Sequence, residues 1–177
     1  ERPGAVLALD NGDTFHGTFV AGQSRGEAML PLMNALEFDA MTLHWEFAYG
    51  PTQVRKLAAG LIYPALAINI YDKASNRLMF DPSCVIERGG LRIGIIGIAS
   101  NIVDKSMPPS YSEGVYFTLG NTELPAHIER LRSGAQDWPA GRWWECAPCW
   151  SVLGWCSGLY RGPGVDQTSG RLERATA

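Results

Sequence analysis

A chain of 177 residues with a formal net charge of -3, 46% hydrophobic and 19% charged has ordinary globular composition, and its length suits one domain or a piece of a larger one. Its mild acidity argues against general affinity for nucleic acid or an anionic membrane. No apolar run approaches the roughly 18 residues that span a bilayer. No signal peptide is recognisable, and Glu1 is not an initiator, so the residues leave the compartment open. Cys84 stands alone, whereas Cys146, Cys149 and Cys156 crowd into the last third with Trp138, Trp143, Trp144, Trp150 and Trp155. Two compositional regimes therefore meet near Arg132.

In chain order, residues 6–9 read as a short buried strand, too brief and too evenly apolar for an amphipathic helix. The strand runs into Asp10-Asn11-Gly12-Asp13, which puts Asp13 just past a carboxyl end, where open α/β sheets receive ligands. Gly12 permits the tight turn that brings this carboxylate to a bound group. Such a corner suits a divalent cation held through oxygen, and it is equally ordinary turn chemistry. Residues 14–23 read as a polar loop. Met29, Leu32, Met33 and Leu36 predict a helix from about Glu27, with Pro31 in its first turn.

Residues 39–43 read as a second strand, followed at the same edge by His44-Trp45-Glu46-Phe47. Thr52 is the expected cap of a helix through Ala59 that Gly60 ends. A third strand is expected over 63–69, ending in polar Asn69, then a turn over 72–77 and a strand over 84–87. Gly89-Gly90 turns the chain into 91–99, the clearest buried strand. Gly94 and Gly97 lie inside that strand, so they read as close-packing positions and not as a dinucleotide loop. After a loop over 101–112, residues 122–132 form a helix with Leu124, Ile128 and Leu131 on one face and His127 as an exposed polar residue. Strands alternating with helices give an α/β class.

Asp13 and His44 would then share one rim of the sheet, and a carboxylate with an imidazole suits Zn, Mn or Fe. Asp10-Asn11-Gly12-Asp13 through Gly17-Thr18, Met33-Asn34-Ala35-Leu36, Phe38-Asp39-Ala40-Met41-Thr42 and Glu46-Phe47-x-Tyr49-Gly50 form a joint pattern that Pro64-Ala65-Leu66-Ala67-x-Asn69 and Gly94-Ile95-Ile96-Gly97 continue. Over roughly residues 6–132 this pattern resembles the bacterial 5'-nucleotidase family of calcineurin-like metallophosphoesterases. His44-Trp45-Glu46-Phe47-x-Tyr49-Gly50-Pro51 resembles in particular its branch of sulfur-oxidation thiosulfohydrolases.

The resemblance implies a partial four-layer α-β-β-α sandwich with a site for two divalent metal ions (Mn, Zn or Fe) at its strand ends. It implies that Asp13 bridges the two cations and that His44 takes a position where most members use an asparagine ligand. Glu46 and Gly12 would support those ligands from behind. The implied activity is hydrolysis of a small nucleotide phosphoester by an exported protein. A sulfur ester is the alternative substrate, and a non-catalytic fragment the alternative to an enzyme.

Several positions depart from the pattern. Trp45 stands where the family carries a histidine, and an indole cannot shuttle a proton. Leu43 stands at a family glycine, which predicts a strained backbone. The Asp-x-His-Gly motif would precede Glu1, and no later Gly-His-x-His follows residue 132. No catalytic residue is assigned, and the ligands present should not assemble the two-metal site unaided.

The expected division is a partial domain over 1–132 and an atypical tail over 133–177. The tail lacks helical or strand periodicity, as a frame-shifted or poorly ordered stretch would. Cys146 and Cys149 have the spacing of a redox pair without its strand-to-helix context. With Cys156 they would make three zinc thiolates lacking a fourth ligand.

Overall fold

The computed structural model describes residues 6–133, 144–145 and 155–160, the last two stretches by their backbone alone. Strand β1 (Leu9–Asp10) pairs in parallel with β2 (Ala40–Met41). The Asp39 N–H donates to Ala8 O at 2.8 Å and the Thr42 N–H to Asp10 O at 3.0 Å, which extends the pairing at both ends. Met41 is bridged in parallel to Ala65, and Leu66 to Asp81. The run expected as a strand over 63–69 thus forms only isolated bridges, at Ala65 and Leu66. The regular strand, β3 (Ile70–Asp72), begins one residue beyond Asn69 and pairs antiparallel with a later strand over Val115–Phe117.

The turn expected at 72–77 is present, with the Asp72 carboxylate accepting from the backbone N–H of Ala74 and Ser75. Strands β4 (Ser83–Arg88) and β5 (Leu91–Ile98) form an antiparallel hairpin closed by Gly89 and Gly90, both at positive φ. The Val115–Phe117 strand is β6. The sequence predicts no element after residue 132, yet the backbone places two strands there. β8 (Trp155–Tyr160) lies along the free edge of β5, and β7 (Trp144–Glu145) lies along β8. An unpaired edge accepts any chain able to extend, whatever its side-chain pattern. Cys146 and Cys149 lie outside the described residues, as does the side chain of Cys156.

Helix α1 (Phe19–Gln23) occupies part of the stretch read as loop. Thr18 caps it by accepting from the Ala21 N–H at 3.1 Å, and with Phe19 at 81% exposure it carries no apolar stripe for periodicity to reveal. A single 3₁₀ turn leads into α2 (Leu30–Leu36), with Pro31 in the first turn as expected. A second 3₁₀ turn, Trp45–Tyr49, precedes α3 (Pro51–Ala59). Gly50, and not Thr52, holds the cap position of α3, because Pro51 opens the helix with no N–H to satisfy. Helices α4 (Val103–Ser106) and α5 (Leu124–Ser133) flank β6 along the chain.

Alternation along residues 65–68 sets the layers. Ala65 and Ala67 join the main core with Met33 of α2 and Val54 and Leu57 of α3. Leu66 faces the other way, toward Ile95 of β5, and Ile68 packs with Ile96, Ile98 and the Leu124, Ile128 and Leu131 face of α5. Helices therefore cover the sheet from both sides, and the described part is α/β. A Cβ on Gly97 would lie 2.2 Å from Leu66 O and one on Gly94 would lie 3.0 Å from Leu131 Cδ1, so both glycines serve close packing. His127 is not exposed: it is buried, with Nδ1 lacking a partner. Position 127 shares the inward helical face with 124, 128 and 131.

No helix among the described residues is long and apolar enough to cross a membrane.

Candidate metal centre

Asp13 and His44 lie just past the carboxyl ends of β1 and β2, which are adjacent and parallel. The chain leaves β1 through two consecutive left-handed residues, Gly12 at φ 80° and Asp13 at φ 67°. A Cβ on Gly12 would meet His44 N and Thr42 O, both at 2.9 Å. Only glycine lets the first corner press this closely against the backbone of the second.

One carboxylate ties the two corners together. Glu46 is fully buried, its Oε1 accepting from the Thr14 N–H at 2.8 Å and its Oε2 from the His44 N–H at 2.5 Å. Burial pushes its carboxyl above the ordinary glutamate range, while the backbone N–H donors pull the other way. Asp10 braces the same turn, accepting from the Gly12 N–H at 3.1 Å and from the Thr14 hydroxyl at 3.0 Å.

His44 is wholly buried, yet neither Nδ1 nor Nε2 has a hydrogen-bond partner. Burial pulls its pKa down; the Asp13 charge opposes that and His16 adds to it. A neutral imidazole with free nitrogens is the form that ligates metals. Its ring lies nearly parallel to the Trp45 indole, centroids 6.0 Å apart at 8°. On Trp45 the edge of His16 also rests, at 5.9 Å and 76°, and His16 Nε2 is 2.8 Å from Asp13 Oδ1.

Sequence reasoning assigns no role to His16. Its i, i+3 spacing from Asp13 is the available signal, but across a loop that spacing fixes no geometry.

Carboxylate and free imidazole nitrogens are the donors a borderline divalent cation takes, and the orphaned nitrogens of His44 fit such an ion. They supply part of a shell: among the described residues no three His, Cys, Asp or Glu side chains are gathered tightly enough to hold one. Leu43, at the expected glycine position, packs in the main core and is not among the positive-φ residues, so the expected strain is absent. Asn69 faces no site. Its amide donates to Ala99 O and Thr118 O and accepts from the Ala99 N–H, which uses it as a brace between strands.

No family model matches the chain. A 5'-nucleotidase of Vibrio cholerae is 30% identical over 130 residues, 73% of this chain and 24% of that protein. The structure of the sulfate thiohydrolase SoxB of Thermus thermophilus superposes with a TM-score of 0.68 at 28% identity, covering 72% of this chain and 24% of that one. A 5'-nucleotidase precursor, also of Thermus thermophilus, superposes at 0.60 with 31% identity, over 72% of this chain and 26% of its own. The chain thus spans about a quarter of the length of these relatives, at 24% and 26%. On sequence and fold together, it belongs to the 5'-nucleotidase family.

Proposed function

We propose that this chain is the cation-holding part of a phosphoester hydrolase of the 5'-nucleotidase type, acting on a small nucleotide with divalent Mn, Zn or Fe. The observation that carries this is the pairing of Asp13 with the partnerless imidazole of His44 at adjacent parallel strand ends. Asp13 and His44 are the proposed ligands. Glu46 fixes both loops, and Gly12 allows their approach. Residues 1–132 carry the function in this reading and residues 133–177 stand apart from it.

Bound cations of this kind clamp phosphoryl oxygens and supply a nucleophilic water. The chain's own contribution is to hold a carboxylate oxygen and a neutral imidazole at a fixed separation.

A second reading keeps the site and changes the substrate to a sulfur ester. It is favoured by Trp45, an indole donor where the nucleotidase pattern has histidine, and by the likeness to SoxB at a TM-score of 0.68.

The test is equilibrium dialysis against Mn²⁺, with D13N and H44A as variants and with assays on a nucleoside monophosphate and a thiosulfate conjugate. Wild type is expected to retain cation that both variants bind at least about tenfold more weakly. Turnover of the nucleotide favours the first reading and turnover of the conjugate alone the second. Absence of bound cation in wild type refutes both and makes the chain a non-catalytic fragment.

A further inference from the structure

We propose that His16 is itself a cation ligand, sharing with Asp13 one edge of a coordination shell. This rests on the cation reading above and pairs His16 with Asp13 alone, since His16, Asp13 and His44 do not gather around one point.

His16 Nε2 and Asp13 Oδ1 are 2.8 Å apart, yet the nitrogen is buried and makes no hydrogen bond, because the ring does not aim its N–H at that oxygen. Two electron-rich atoms at that distance are favoured by a positive charge beside both, and a bound cation supplies it as well as a proton on the ring would. Cis ligands each about 2.1 Å from an ion and at right angles to one another lie about 3.0 Å apart. The observed 2.8 Å is close to that separation.

The ring is also held in place. Phe15, the preceding residue, is buried in the main core, and the edge of the imidazole rests on Trp45. The Asp13 side chain keeps 38% of its surface and the His16 side chain 19%, with His16 Nε2 itself covered, so an ion reaches the pair from the Asp13 side. The same indole carries His44 on its other contact. Trp45 thus displaces one imidazole from its own position while orienting two others beside Asp13.

The chain contains three histidines, and the third, His127, lies on α5, so the test can count them. The full chain is loaded with Co²⁺, and the paramagnetically shifted imidazole N–H proton resonances are assigned by ¹⁵N-histidine labelling. His16 is expected among the shifted residues and His127 is not. H16Q should lose that set of signals and bind Co²⁺ at least about tenfold more weakly, while H127Q keeps every signal.

Shifted resonances from His44 alone in wild type overturn the inference without any variant, should H16Q fail to fold. So does an H16Q that folds and keeps both the signals and an affinity within twofold, which would leave His16 as a plain ion pair to Asp13. A wild type that binds no Co²⁺ refutes the cation reading itself, and His16 with it.

Discussion

Glu46 is the residue on which the two site loops depend, and its removal separates two effects. Gln in its place offers one oxygen and one NH₂ to two backbone N–H donors, so one buried donor loses its partner at a cost of about 1–3 kcal/mol. The sign with pH follows from the raised carboxyl. A native state that holds the proton more tightly than the unfolded chain gains stability that is complete below the unfolded value, 4.5, and lost as pH rises through the native value. E46Q has no such proton. Its melting temperature should therefore fall further below wild type at pH 4.5 than at pH 7, and a gap independent of pH would contradict this.

Asp13 imposes a constraint on its own variants. At φ 67° it occupies a region that Asn tolerates and Ala resists. D13N is the variant that removes charge without adding strain, and D13A should melt lower than D13N by about 1 kcal/mol of stability. Asn69 is the counterpart with no ligand role. N69A strands three backbone groups inside the protein and should cost at least about 2 kcal/mol in denaturant unfolding. Spacing after strand ends made Asp13 and His44 readable from sequence. It could not reveal that His16 folds back on Asp13, or that Asn69 is consumed by backbone, because both outcomes depend on partners remote in sequence or on loop geometry.

Among the elements, β5 gives the sharpest contrast between neighbouring glycines. Gly97 faces Leu66 O across 2.2 Å of would-be Cβ contact, whereas Gly90 at φ 75° has nothing within 4 Å. G97A should therefore destabilise by about 3 kcal/mol through overpacking, and G90A by only about 1 kcal/mol through its backbone angle. Chemical denaturation of both variants measures the difference, and equal costs would mean the β5 backbone can shift away from Leu66. Helix α5 carries the opposite kind of defect, the buried and partnerless Nδ1 of His127. Residues 91–99 were legible as a near-continuous apolar, β-branched run, and 122–132 by a period near 3.6. Helix α1 was not, since a five-residue helix capped by Thr18 and carrying an exposed Phe19 leaves no stripe. Nor was the pairing of β8, which depends on an edge offered by β5 and not on its own side-chain pattern.

At the scale of the whole molecule, the two-sided burial of residues 65–68 explains why the α/β class could be read at all. A strand covered on both faces must be apolar without interruption, and helices must follow to cover it. The site sits where that buried layer ends, so its ligands are polar residues placed directly after apolar runs. The compositional break near Arg132 was equally visible, while the β-pairing beyond it was not.

One consequence of the aromatic arrangement is optical. Trp45 is the single tryptophan outside residues 133–177, and both candidate imidazole ligands rest on its ring. An indole's emission is sensitive to the charge and orientation of imidazole beside it. The fluorescence of the intact chain minus that of W45F isolates this one indole from the five others, and makes it a built-in gauge of whether an ion has arrived at Asp13.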